Sequence, residues 1–396
     1  MQIAIIGSKG IPCRDGGVEK HTEELAIRLA KAGHKVLFYS RRYYTKSRIK
    51  RYKGVHIIYT PYIPTKNLAA ITHTLTSLTH LLFQKVDIIH IHSVGPSLLA
   101  FLPRLLKRKA KVITTFHSRD RFNEKWGKIA RFFLALGEWA TVKFPHATIT
   151  VSQNLYFYCH QKYPAAHIFY IPNGASLFPP QKAQQIQKWG LTENNYILSV
   201  SRLIPLKGIH YLIRAFRSLN LNKKLVIVGD SPKENQNYLI YLKKLAQNNP
   251  NIIFLGHQQG KTLTELFSNT YLYILPSEVE GLSISLLEAM GAGRCVLVSD
   301  IPENKEATGE VGYTFKSKSF VDLSQKLLFL NDHPELVLKN GHLARERVRK
   351  IYNWQKIVHQ TLSLYQMIQT KDLTKAKTPL KVTKAHPAYL TNKFNL

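Results

Sequence analysis

Short apolar runs alternate with amphipathic stretches along nearly the whole chain. Runs rich in isoleucine, valine, leucine and tyrosine predict strands over 2–7, 35–39, 55–59, 87–90, 111–116, 147–151 and 167–171. A second set is predicted over 196–201, 224–228, 252–255, 272–275, 295–299 and 312–315. Between them, apolar residues recurring with helical period predict helices, notably over 19–31, 68–84 and 125–142. Alternation of strand and helix implies α/β architecture, with parallel sheets covered on both faces. The pattern breaks at Pro179-Pro180 and the polar stretch 181–188, so 173–195 reads as a linker between domains at 1–172 and 196–353. A last amphipathic helix is expected over 354–368. The basic remainder, 371–396, has no periodic apolar residues and reads as disordered.

Composition fits two separate cores: the chain has 396 residues, 44% hydrophobic and 20% charged. Cys13, Cys159 and Cys295 are too scattered for a disulfide framework or a zinc pattern. The chain opens directly on the strand-like Ile3-Ala4-Ile5-Ile6, without the ordered regions of a signal peptide. The longest apolar candidate, around Ser97–Leu102, is cut by Pro103 and Arg104, well short of a membrane span. A cytoplasmic protein is expected.

The charge changes that picture. A formal net charge of +32 concentrates in Arg41, Arg42, Lys46, Arg48, Lys50, Arg51 and Lys53, interleaved with tyrosines, and in Arg104, Lys107, Arg108, Lys109 and Lys111. Such clusters suit an anionic membrane surface, each cation there contributing about 1 kcal/mol. No motif for specific nucleic-acid binding accompanies them.

Candidate chemistry lies mainly in the second half. Glu280 and Glu288 stand eight positions apart in Pro276-Ser277-Glu278-Val279-Glu280-Gly281-Leu282-Ser283-Ile284-Ser285-Leu286-Leu287-Glu288. A helix starting after Gly281 would put Glu280 in a loop and Glu288 in the helix, roughly 12 Å apart at 1.5 Å per residue. Free amides at that helix start attract anions, so a diphosphate fits between the carboxylates. Upstream, Ser201-Arg202-Leu203-Ile204-Pro205-Leu206-Lys207-Gly208 follows a predicted strand. Arg202 and Lys207 thus sit where open α/β sheets bind ligands, as fixed cations for a diphosphate leaving group. The loop from Gly7 to Gly17 lets backbone amides approach a phosphate or acceptor, yet lacks the spacing of the dinucleotide fingerprint. No aspartate stands two positions from another, so the Asp-x-Asp cation-holding element is absent and no metal or cofactor is expected.

These segments, with Gly16-Gly17-Val18-Glu19, Ile171-Pro172-Asn173-Gly174, Val228-Gly229-Asp230, Phe254-Leu255-Gly256 and Tyr352-Asn353-Trp354, resemble the retaining glycosyltransferases of family 4. The likeness runs from Ile3 to about Ile368. The opening Gly7-Ser8-Lys9-Gly10-Ile11-Pro12, together with Thr115-Phe116-His117-Ser118-Arg119-Asp120, resembles a bacterial subgroup that includes rhamnosyltransferases of surface-polysaccharide assembly. The resemblance implies the GT-B fold, two Rossmann-like domains facing across a cleft, with the C-terminal helix returning to the first. It also implies a nucleotide-diphosphate sugar as donor and a glycan or lipid-linked acceptor. Residue by residue, it implies Glu288 on the ribose and Glu280 at the donor sugar. Arg202 and Lys207 would hold the diphosphate, with Gly16, Gly17, Gly281 and the amides of Leu282 and Ser283 assisting. His117 would contact sugar or acceptor, and Arg119 and Asp120 the acceptor. Ser283 stands where glycine is common, and Arg294-Cys295 replace the usual residue and proline. A sugar-nucleotide epimerase of the same fold, or a non-catalytic basic membrane- or nucleic-acid-binding protein, is the alternative.

Overall fold

The structure, a computed structural model, describes residues 1–45, 48–65, 67–119, 121, 127–247 and 249–370. The chain divides into two compact units: Met1–Asn173 joined by the stretch from Trp354 onward, and Gly174–Asn353. The basic 371–396 lies outside the described residues.

In the first unit an eight-stranded sheet is built from β1 (Gln2–Ile6), β2 (Lys35–Arg41), β3 (Arg51–Tyr52), β4 (Val55–Thr60), β5 (Ile88–His92), β6 (Lys111–Phe116), β7 (Ala147–Thr150) and β8 (Ile168–Tyr170). Its order is β3-β4-β2-β1-β5-β6-β7-β8, so the winding reverses between β1 and β5. Alternate residues of β1 serve different cores: Ile3 and Ile5 pack with Val36, Phe38 and Ile113, while Ala4 and Ile6 pack with Leu37, Tyr39 and Ile91. That two-sided burial is why the strands read as unbroken apolar runs. The C-terminal helix Trp354–Thr370 inserts Trp354, Ile357, Leu364, Tyr365 and Ile368 into the first of these cores.

One strand departs from the expected all-parallel sheet. The edge strand β3 pairs antiparallel with β4. Lys53 and Gly54 between them both have positive φ, 45° and 88°, as a two-residue hairpin requires. A two-residue strand leaves too little alternation to be read from sequence.

The second unit contains β9 (Tyr196–Val200), β10 (Lys224–Val228), β11 (Ile252–Phe254), β12 (Leu272–Leu275), β13 (Cys295–Ser299) and β14 (Tyr313–Phe315). All neighbours are parallel, in the order β11-β10-β9-β12-β13-β14. The winding reverses between β9 and β12. Strand ends at such a reversal leave a crevice that open α/β sheets use for ligands.

The expected linker 173–195 is corrected: from Gly174 it is part of the second unit's body. Ala175 bridges Asn353, and a short helical turn, Gln185–Trp189, buries Ile186; Leu191 is buried beyond it. The Glu265 carboxylate accepts the amides of Gln184 and Gln185 at 3.0 and 2.7 Å. A polar composition concealed two apolar anchors and one carboxylate that satisfies backbone donors.

Candidate active site

In the second unit, the loops leaving β9 and β12 flank the reversal. The β9 loop closes in a single turn, Pro205–Lys207, ended by Gly208 at φ 65°. A Cβ on Gly208 would sit 2.0 Å from the carbonyl oxygen of Pro276, so only glycine lets the loops run side by side. The Glu278 amide ties them by donating to the carbonyl of Leu206 at 2.9 Å. This brings Lys207 and Glu280, 73 positions apart, into an ion pair at 2.5 Å between largely buried side chains.

The helix after β12 runs Ile284–Gly291. Glu280 lies in the loop and Glu288 within the helix. The helix starts later than expected, so helical spacing does not apply across all eight positions and the 12 Å figure is withdrawn. Ser283 explains the late start: its hydroxyl caps the helix by accepting the Leu286 amide at 3.4 Å, and stands 3.2 Å from Ser285 Oγ. Its side chain is thus engaged at the helix start rather than extended over the loop.

Sequence reading missed Tyr273, taken only as part of a buried strand. Its hydroxyl donates to the carbonyl of Val200 at 3.3 Å and lies 2.9 Å from Ser285 Oγ. Burial pushes its phenol up, and the charges of both Glu280 and Glu288 add to the shift. The two carboxylates therefore converge electrostatically on one side chain. Arg202 is exposed, and its guanidinium has no partner among the described residues; the fold around it is held by the Leu203 amide on the carbonyl of Asp230 at 3.0 Å. Arg294, one of the sequence departures, bonds Asn194 and the carbonyl of Thr270, both at 3.2 Å.

The first unit repeats the glycine loop at its own reversal with different contents. Gly7, at φ 101°, faces β5 so closely that a Cβ would lie 2.2 Å from the carbonyl oxygen of His92. Three amides within this loop have partners inside the protein, and none of the three belongs to Gly16 or Gly17. The Ile11 amide goes to Ser40 Oγ at 3.4 Å, the Arg14 amide to the Tyr44 hydroxyl at 2.8 Å, and the Cys13 amide to the Glu23 carboxylate. Gly16 precedes the helix Gly17–Lys31, whose first turn already carries the buried Glu19.

His117 follows β6 but is buried, with Nε2 3.1 Å from His92 Nδ1. His21, from the helix Gly17–Lys31, completes the group, its ring centroid 5.0 Å from His117 and 5.6 Å from His92. Burial, and then the neighbouring histidines, hold His92 and His117 well below the ordinary imidazole range. Burial likewise lowers His21 to about 4. These rings are neutral at pH 7. Sequence reading found His117 alone. The signal for the rest was the His90-Ile91-His92 alternation in β5 and the place of His21 just after Gly16-Gly17. Arg119 lies with its guanidinium 5.3 Å from the ring centroid of Tyr158, and Asp120 lies outside the described residues.

Two α/β sheets, each with a reversal of winding and one carrying a cation–carboxylate pair beside a helix start, define a doubly wound α/β protein with a candidate anion site. Comparison makes the class specific. The family model for Glycosyltransferase Family 4 matches residues 15–177, and that for Glycosyl transferases group 1 matches 181–347. The chain belongs to these glycosyltransferases. It is 25% identical over 294 residues to N-acetyl-alpha-D-glucosaminyl L-malate synthase of Bacillus anthracis, covering 71% of this chain and 75% of that one. It is 26% identical over 185 residues to the capsular polysaccharide biosynthesis glycosyltransferase CapM of Staphylococcus aureus, covering 44% and 47%. Among solved structures, Anabaena HepE in complex with UDP and glucose shares the fold, with a TM-score of 0.76 at 18% identity over 92% of this chain and 99% of that one. Among the described residues, no helix is long and apolar enough to cross a membrane.

Proposed function

We propose that this glycosyltransferase moves a hexose or deoxyhexose from a nucleotide-diphosphate sugar to a glycan or lipid-linked acceptor in cell-surface polysaccharide synthesis, with retention of configuration. The observation that carries the reading is the Lys207–Glu280 pair at the second unit's reversal, beside the start of the helix that holds Glu288. Lys207 and the exposed Arg202 take the diphosphate. Glu288 accepts the ribose hydroxyls, and Glu280, already fixed by Lys207, receives the sugar. In the transfer, the bond from the anomeric carbon to the phosphate oxygen breaks and a bond to the acceptor oxygen forms on the same face. The acceptor proton leaves with the departing phosphate. Fixed cations and helix amides stabilise the charge that develops there, the part a divalent ion plays elsewhere, so neither metal nor cofactor is required for this step. The complex of HepE with UDP and glucose, and the capsule named for CapM, support the donor class and the setting.

The acceptor belongs to the first unit, in this reading, and so does the membrane. The side chains of Leu75, Leu82, Phe83, Leu105 and Leu106 are exposed around Arg104 and Lys107. Lys107 joins the two helices that carry them by donating to the carbonyl of Leu82 at 3.0 Å. Apolar side chains within a basic patch suit peripheral binding to anionic lipid on the cytoplasmic face.

The test is transfer from a panel of UDP, GDP, ADP and dTDP sugars to lipid-linked acceptors, with NMR of the anomeric configuration and a parallel reaction in EDTA. Retained configuration, undiminished in EDTA, is expected. Inverted product, loss of activity that magnesium or manganese restores, or epimerisation of the donor without an acceptor would each overturn it.

A further inference from the structure

Three segments of the first unit meet around the ring of Tyr62. Arg41 ends β2, between the exits of β1 and β4: its amide donates to the carbonyl of Lys9 at 2.8 Å, and in the sheet it stands opposite Thr60. Its guanidinium lies 5.6 Å from the Tyr62 ring centroid. His73, buried on the helix Ala69–Leu82, meets the same ring edge-on at 6.4 Å. Tyr43, 68% exposed, is tilted against it at 6.5 Å. Strand exits of this kind form the edge at which open α/β sheets hold ligands.

Two nitrogens of this group are unsatisfied. Arg41 Nε and His73 Nε2 are buried without a hydrogen-bond partner among the described residues. Nor does Arg41 belong to the ion pairs described in the first unit, Lys9–Asp15, Lys20–Glu24, Arg28–Glu24 and Arg121–Glu138. Burial lowers its guanidinium below the usual range, and the charge of Glu19 opposes that only in part. A cation so placed gains more from an oxyanion than from a hydroxyl, since a hydrogen bond between ions is about twice as strong as a neutral one. His73 calls for a different partner. Burial, and then Arg41, lowers it to about 4, so it is neutral at pH 7, and its ring is hydrogen-bonded to the Ser40 backbone in a way that favours the protonated form. That partner is therefore the carbonyl, which can only accept; the nitrogen facing it carries the proton, and Nε2 is left as an acceptor. One ligand answers both nitrogens if it carries an oxyanion and a hydroxyl on a ring that tyrosines can cover.

We propose that Arg41, His73, Tyr62 and Tyr43 form a subsite for an acidic sugar of the acceptor, an inference that rests on the reading that the first unit takes the acceptor. Arg41 donates to the oxyanion, a sugar hydroxyl donates to His73 Nε2, and Tyr43 and Tyr62 cover the sugar ring. Two more cations stand beside the group: Arg14 donates to the carbonyl of Tyr44 at 3.1 Å, and Arg42 lies 5.8 Å from the Tyr43 ring centroid. The oxyanion is a carboxylate of the sugar or a phosphate esterified to it, both of which the planar guanidinium fork fits.

The experiment titrates the full chain, with no donor present, with D-glucuronate, glucose 6-phosphate and glucose, and follows binding by ligand-observed NMR. At least one acidic probe is expected to bind about tenfold more tightly than glucose, and which of the two does so identifies the oxyanion. Arg41→Gln, shown to be folded by circular dichroism, should abolish that preference. Arg41→Lys keeps the charge and loses the fork, so it should keep only part of the preference, and it serves if the glutamine variant unfolds. Tyr43→Ala, at an exposed position, should weaken the acidic probe severalfold, whereas Arg214→Gln, on the surface of the second unit, should change nothing. No preference for either acid over glucose, or a preference that folded Arg41→Gln retains, would overturn the proposal. Its failure is distinguishable from that of the proposed function: transfer to a neutral acceptor without an acid preference strikes the subsite alone, and absence of transfer leaves these binding constants as they are.

Discussion

The two units are built alike and equipped differently. Each has a sheet, parallel apart from the edge strand β3, that reverses beside its first strand, with a glycine pressed against the neighbouring strand's exit: Gly7 against His92 in one, Gly208 against Pro276 in the other. The second unit places charge there, as Lys207, Glu280, Glu288 and the exposed Arg202. The first places neutral, buried imidazoles and spends several loop amides on internal partners. The contrast teaches that one architecture can be equipped for two tasks: the second unit offers partly solvated charge at its reversal, whereas the first offers buried neutral rings and a loop some of whose amides are already engaged.

The sharpest way to break that contrast is to remove the pair in the second unit. Lys207→Ala is expected to lower kcat/KM for transfer by about 10²–10³, the range for losing one fixed stabiliser of developing charge. Glu280→Gln in the same background should add less than its effect alone, because the two share one interaction. A steady-state double-mutant cycle measures both. Additive effects would mean the pair does not act as a unit.

Gly208→Ala comes next. It combines a left-handed backbone with a Cβ 2.0 Å from a carbonyl oxygen, and should destabilise the second unit by about 2–4 kcal/mol in urea unfolding. Gly17, at which a Cβ would meet nothing within 4 Å, should accept alanine with little change. Glu288→Ala should weaken nucleotide binding by roughly tenfold or more in calorimetric titration, the value of a charge-assisted hydrogen bond, in a variant shown to be folded by circular dichroism.

A further effect is a pH dependence of the first unit, confined to acid pH. Burial, and then Arg41, lowers His73 to about 4, against 6.5 in an unfolded chain. The unfolded state therefore takes the proton first as pH falls. The stability this histidine contributes is complete above pH 6.5 and is lost between 6.5 and about 4, at about 1.4 kcal/mol per pH unit. His73→Leu should make the fall of the denaturation midpoint over that window less steep without abolishing it, since burial lowers His21, His90, His92 and His117 in the same unit as well. An unchanged slope would show that other groups govern it.

Much of this was legible in the sequence, for physical reasons that differ by element. Strands buried on both faces announce themselves as apolar runs, and Glu280, Glu288, Arg202 and Lys207 fall in two compact segments next to such runs. The Lys207–Glu280 contact itself was not legible, since it depends on Gly208 bringing two loops together. Tyr273 was hidden inside an apolar strand whose side chains cannot be told apart by pattern. The histidine group was hidden more deeply: its members lie in three segments, and only the order of β1, β5 and β6 brings them together. The segment around Ile186 and Leu191 failed because two apolar residues in a polar stretch carry no period.

The central claim is that the second unit holds a nucleotide-diphosphate sugar through Lys207 and Glu288. Calorimetric titration with UDP, GDP, ADP and dTDP and their sugars tests it most directly. Binding confined to one nucleotide and its sugars, at least tenfold weaker in Glu288→Ala and in Lys207→Ala while both variants stay folded, is the expected result. No binding by the folded protein, or binding that both substitutions leave intact, would contradict it.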